Sequence, residues 1–84
     1  MITVLYFARL RESLGTDREQ LAPPPGVATV GQLADWLRDR GGNWTTELAA
    51  DKPVRVAVNQ EMAGPDTLLP DGAEVAFFPP VTGG

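Results

Sequence analysis

The sequence predicts an α+β fold in which one principal amphipathic helix lies on one face of a mixed β-sheet. Three observations predict it. Runs rich in β-branched and aromatic residues open and close the chain, over residues 2–7 and 74–78. A capped segment of helical periodicity, starting at Thr29, lies between them. Proline and glycine gather at the joints (Pro23-Pro24-Pro25-Gly26, Gly41-Gly42, Gly64-Pro65 and Asp71-Gly72), where they punctuate elements and do not form low-complexity sequence. With 84 residues there is material for one domain, and 43% hydrophobic and 21% charged residues are globular values, not those of a disordered chain.

Taken in order, Ile2-Thr3-Val4-Leu5-Tyr6-Phe7 reads as a strand with Ile2, Val4 and Tyr6 on one face and Leu5 and Phe7 on the other. Apolar residues on both faces predict a central strand or one whose second face meets a partner. Residues 9–14 form a short helix with Leu10 and Leu14 at i,i+4 and Gly15 as its stop. Residues 18–21 read as a second strand, ended by Pro23. Thr29-Val30-Gly31-Gln32 fits a capping box, after which Val30, Leu33, Ala34 and Leu37 make one apolar stripe, closed by Gly41 or Gly42. A further helical turn is expected within residues 44–50. Residues 54–60 alternate as a half-buried strand with Val54, Val56 and Val58 on the covered face. An Asp71-Gly72 turn leads into the last strand, 74–78. Two opening strands, a helix and two later strands suit a β-grasp arrangement, with the first and last strands parallel and adjacent at the centre, since parallel pairing requires a crossover.

Composition removes several kinds of chemistry. With no cysteine and no histidine, the chain has no disulfide, thiolate nucleophile, Cys/His zinc site or histidine acid–base pair. A net charge of −4 argues against nucleic-acid binding and suits instead a partner with a basic docking surface. No secretory leader and no membrane span are expected, which predicts a cytoplasmic protein. No phosphate loop is present, because Gly41-Gly42 follows a helix instead of opening one. Asp35 and Asp39 stand between arginines on a solvated helix face. A self-contained active site is not expected, and no bound cofactor.

What remains is the end of the chain. Pro79 and Pro80 cannot pair inside a sheet, so they end the strand and favour a stiff, extended exit. Gly83 and Gly84 have no Cβ and can pass a constriction. The expected organisation is a domain over 1–78 and a flexible arm over 79–84, whose last five residues reach about 16 Å at roughly 3.3 Å each. Two terminal glycines arise by chance about once in 200 chains at ordinary glycine usage of about 7%. A carboxylate is inert until its oxygen is made a leaving group. Adenylation would supply one, after which a sulfur donor would leave a thiocarboxylate, or a lysine amine an isopeptide. Both routes need a bare Gly-Gly end, so the end alone does not separate them. Strand parity also places Phe7 and Phe78 together on the face away from the helix, with Met62 able to extend the patch as an adaptable contact; an exposed apolar patch marks a partner site. Trp36 and Trp44 are expected to be partly or wholly buried.

The opening Ile2-Thr3-Val4-Leu5-Tyr6-Phe7-Ala8-Arg9-Leu10-Arg11-Glu12 with Gly15, the middle Ala57-Val58-Asn59-Gln60, and the close from Asp71-Gly72 through Phe77-Phe78-Pro79-Pro80-Val81-Thr82-Gly83-Gly84 resemble the small, sulfur-carrying subunits of molybdopterin synthases (molybdopterin-converting factor subunit 1). The resemblance spans the whole length, weakly over 16–53. It implies a ubiquitin-like β-grasp fold. It further implies adenylation of Gly84 by an E1-like adenylyltransferase that uses ATP, sulfur loading from a donor protein, and docking on the large synthase subunit in a heterotetramer. The thiocarboxylate would then give its sulfur to cyclic pyranopterin monophosphate. The apolar docking contacts map onto Phe7, Met62 and Phe78, with Arg11 as a further contact and Pro79, Pro80, Val81, Thr82 and Gly83 as the arm that delivers Gly84. A thiamine-type sulfur carrier and a ubiquitin-like protein modifier are the alternatives.

Overall fold

The computed structural model describes residues 1–49 and 51–80. In chain order these form β1 (Ile2–Tyr6), α1 (Ala8–Leu14), β2 (Arg18–Leu21), α2 (Val30–Arg38), α3 (Asn43–Glu47), β3 (Arg55–Val58), β4 (Glu61–Ala63) and β5 (Glu74–Phe78). The strands make one sheet in the order β2-β1-β5-β3-β4. β1 and β5 run parallel at its centre and every other pair is antiparallel. The expected α+β plan, with its first and last strands side by side, is therefore the plan of the molecule.

One face of the sheet is covered. Ile2, Val4 and Tyr6 of β1, Val75 and Phe77 of β5 and Val58 of β3 are buried, and against them lie Leu10 of α1, Val30, Leu33 and Leu37 of α2, and Leu48 after α3. Each fully buried side chain of this kind contributes about 1.5–3 kcal/mol relative to exposure, so the stability of so small a domain rests on this layer. Trp36 and Trp44 pack partly buried at its border.

The start of α2 follows the sequence rule in full. Thr29 Oγ1 accepts the Gln32 N–H at 3.2 Å while Gln32 Oε1 accepts the Thr29 N–H at 3.1 Å, the two halves of a capping box. The next two N–H groups, of Val30 and Gly31, donate to the carbonyls of Thr67 and Pro65 at 3.0 and 2.9 Å. A Cβ on Gly31 would stand 3.1 Å from the Pro65 oxygen, so the missing side chain is what lets helix and turn approach.

The structure corrects four boundaries. The first strand stops at Tyr6, and Phe7, still extended at φ −121° and ψ 155°, caps α1. α2 ends at Arg38 with Asp39 as its cap, earlier than the expected stop at Gly41 or Gly42, and these two left-handed residues (φ 82° and 59°) turn the chain after the helix has closed. α3, at Asn43–Glu47, starts one residue before the expected stretch and ends three before its close, and the last residue of that stretch, Ala50, lies outside the described residues. The expected strand 54–60 is in fact one arm of a hairpin. β3 ends at Val58, Asn59 and Gln60 turn with φ 50° and 70°, and β4 returns antiparallel with Val58 opposite Glu61. Two successive positive φ values are what a two-residue type I′ turn requires.

Candidate functional site

The uncovered face of the sheet is read directly from the register. Leu5 stands opposite Ala76, Ala76 opposite Ala57, and Ala57 opposite Met62, a row that crosses β1, β5, β3 and β4. In the next row Phe78 stands opposite Arg55, and Phe7 continues β1 beside Phe78, its N–H donating to the Phe77 carbonyl at 3.1 Å. The two alanines keep the middle of this surface low between larger side chains at either side. Met62 is 60% exposed and Phe7 46%, while Phe78, Ala76, Ala57 and Leu5 are half-buried. Phe7, Phe78 and Met62 thus share one face of the sheet, the two phenylalanines on adjacent strands and Met62 on β4, two strands from Phe78.

Local backbone explains how Phe7 is presented. Strand gives way to helix at Ala8, whose φ of 53° is left-handed, a conformation that costs a non-glycine residue about 1 kcal/mol. Arg11, on the second turn of α1, is exposed, and its carbonyl receives the Gly15 N–H at 3.0 Å. At the far end of β5 the chain leaves through Pro79, which is buried, and Pro80, which is exposed. Val81, Thr82, Gly83 and Gly84 lie outside the described residues.

Behind the two phenylalanines, on the covered side, a polar and aromatic cluster ties the strand ends together. Tyr6 stacks on Phe77 with ring centroids 6.0 Å apart and meets Trp44 edge-on at 5.3 Å. Its hydroxyl donates to Glu19 Oε2 at 2.8 Å, and Arg40 grips both oxygens of Glu19 at 2.9 and 3.2 Å. The same guanidinium stands 4.5 Å from the centre of the Trp44 ring. Burial first, then the bond to the Glu19 carboxylate, pushes the Tyr6 hydroxyl well above its ordinary pKa. Sequence reasoning missed this cluster. Arg40 and Glu19 lie far apart along the chain, and the only signal was parity, which puts Glu19 opposite Val4 and so on the covered side of an edge strand.

Among the described residues no group of His, Cys, Asp or Glu is placed to hold a metal ion, and no helix is long and apolar enough to cross a membrane. An open groove of about 640 Å³ lies between α2 and the β3–β4 hairpin, lined by Val30, Ala34, Val54, Val56 and Ala63 and bordered by Arg55 and Met62, while Phe7 and Phe78 take no part in it. The chemistry that the open face can do is association. Its apolar residues lie where the last strand hands over to Pro79.

With an uncovered, aromatic-edged sheet face and a chain end leaving from its central strand, the ThiS family model matches residues 4–84. The chain belongs to the ThiS family. Among members of known function, it is 44% identical to the molybdopterin synthase sulfur carrier subunit of Escherichia coli (strain K12), over 100% of both chains. It is 39% identical to the protein of that name from Mycobacterium tuberculosis, over 99% of this chain and 96% of that one. Among solved structures it resembles SAMP1, small archaeal modifier protein 1, of Haloferax volcanii, with a TM-score of 0.80 at 30% identity over 99% and 98% of the two chains. The architecture is the ubiquitin-like β-grasp shared by these proteins.

Proposed function

We propose that this ThiS-family chain is the sulfur-carrier subunit of a molybdopterin synthase. The observation that carries the reading is full-length identity of 44% to a protein of that name. In this reading the Gly84 carboxylate attacks the α-phosphate of ATP on an E1-like adenylyltransferase, releasing pyrophosphate and leaving an acyl-adenylate. Hydrosulfide delivered by a donor protein then attacks the acyl carbon, AMP departs as the leaving group, and loss of the proton leaves a thiocarboxylate. The chain docks through Phe7, Met62 and Phe78 on the large synthase subunit, with Arg11 at the border. Pro79, Pro80, Val81 and Thr82 thread the arm inward, and Gly83 admits the reactive end to the pterin, which receives the sulfur. This chain binds no cofactor of its own; the activating partner consumes the ATP.

Two measurements test the reading. Intact-mass analysis of protein from its native cells should show a species in which one terminal oxygen is replaced by sulfur. Deleting Gly84 should leave a folded chain that supports no molybdopterin formation. A folded, fully competent deletion variant would end the proposal. A second reading, protein modification, is favoured by the likeness to a protein named small archaeal modifier protein 1. It would be recognised by the chain's end found on lysine amines, with no thiocarboxylate on the free protein.

A further inference from the structure

The net charge of −4 predicts a basic partner surface, yet the residues on the open face have the opposite balance. Strand register puts Arg18 of β2 opposite Leu5 and Arg55 of β3 opposite Phe78, so each guanidinium flanks the apolar rows, one at either side. Both are exposed, and among the described residues neither makes an ion pair. Arg9, Arg38 and Arg40 are different, each paired within the molecule, to Glu47, Asp35 and Glu19 respectively. The one carboxylate that the strands turn to this face is Glu74, opposite Thr3 at the far end of β5. Four residues of strand separate it from Phe78, about 13 Å at 3.3 Å per residue. That exceeds the Debye length of about 8 Å at physiological salt, so Glu74 does not cancel the field of Arg55.

We infer that the surface which covers this face is apolar at its centre and acidic on both flanks, with one carboxylate group for Arg18 and another for Arg55. Three strand spacings of about 4.8 Å part the two arginines, and with their offset along the strands they stand about 16 Å apart. One acidic residue cannot serve both. Arginine is enriched at interfaces and pairs with carboxylates in a fork geometry, and charges at a rim act chiefly on the rate of encounter. The inference deepens the carrier reading and rests on it, the occupant being the large synthase subunit.

The test is the association rate of the full chain with the large subunit from its own organism, followed across a range of salt concentrations. The unaltered chain should associate more slowly as salt rises. The double variant Arg18→Glu with Arg55→Glu should melt like the unaltered chain but associate about tenfold more slowly at low salt, because steering of this kind is worth about 10- to 1000-fold. Asp66→Lys serves as the control. Asp66 is exposed in the turn that supports α2, on the helix side, so reversing its charge should leave the rate within about twofold if the local field governs. A double variant that associates as fast as the unaltered chain, or faster, overturns the acidic flanks and leaves the carrier reading standing. Failure of the unaltered chain to bind at any salt concentration removes the carrier reading, and this inference with it.

Discussion

Phe77 and Phe78 are neighbours on β5, yet they belong to different parts of the molecule. Phe77 is 1% exposed, stacked on Tyr6 and sealed under the helices, whereas Phe78 faces the uncovered side with Ala76 and, beside it, Phe7. The same contrast runs through β1, where Ile2, Val4 and Tyr6 are buried while Leu5 lies on the other face. A strand changes face at every residue, so one short segment can hold the fold together with one parity and offer an apolar surface with the other. The lesson is that hydrophobicity alone does not sort the residues of this chain into structural and functional. Parity does, once the position of the helix is known.

The contrast is broken most severely by a large-to-small change on the covered side. Phe77→Ala should cost about 3–5 kcal/mol, a large part of the 5–15 kcal/mol typical of a domain, and should be seen as partial or complete loss of cooperative thermal unfolding. Phe7→Ala should cost less than about 1 kcal/mol in the same melt but weaken binding to the large subunit by roughly 30-fold, the effect of losing an aromatic anchor worth about 2 kcal/mol. If Phe7→Ala lowers the melting temperature as far as Phe77→Ala does, the two faces are not separate in task.

Tyr6 sharpens the contrast next, because it is the single tyrosine and lies on the covered side. Its hydroxyl titrates at a higher pH in the folded state than its ordinary value of about 10, so between those values the unfolded chain has lost a proton that the folded chain keeps. Stability from this source is complete below about pH 10 and falls as pH rises above it. Phenolate absorbance should therefore appear together with loss of structure and not before it. Tyr6→Phe should abolish that alkaline dependence and, by removing a hydrogen bond to a carboxylate, lower stability at neutral pH by about 1.5–3 kcal/mol. A tyrosine that ionises freely in the folded protein would refute the burial described for it.

Smaller effects belong to the connections. Thr29→Ala should cost about 1 kcal/mol through loss of the cap on α2. Gln60→Gly should raise stability by about 0.5–1 kcal/mol in a denaturant melt, since φ of 70° strains glutamine and suits glycine. Neither change should alter partner binding, because neither side chain stands among the apolar rows of the open face.

These particulars also show where the sequence was sufficient. The capping box at Thr29, the glycine stop at Gly15 and the bounds of β5 follow from local rules, and the structure repeats them. The β3–β4 hairpin was not legible because its turn is Asn59-Gln60. Glycine normally announces a type I′ turn at the second position, and here glutamine accepts the strain instead. Asn59 compensates through long-range contacts that no local pattern displays. Its N–H donates to the Glu74 carbonyl at 2.8 Å and its Oδ1 receives the Glu74 N–H at 3.0 Å. For the site, alternation placed Phe7 and Phe78 on one face, but the flanking arginines emerged only with the register of β2 and β3, which strand patterns alone leave open. Total charge averages over surfaces that a partner never meets together, so it does not describe the charge of this one face.

The central place of β5 has one more consequence. It pairs with β1 on one side and β3 on the other, so the antiparallel pairs at the two flanks of the sheet, β1 with β2 and β3 with β4, join only through it. Phe7 and Phe78 are 71 positions apart along the chain (78 − 7), and they become neighbours only when this longest of loops has closed. Local hairpins form in microseconds, whereas pairings of such long range are the slow part of folding. Any protein that reads Phe7, Phe78 and Met62 as one surface therefore reads a finished chain and passes over an incomplete one, so inspection for maturity is built into the act of binding.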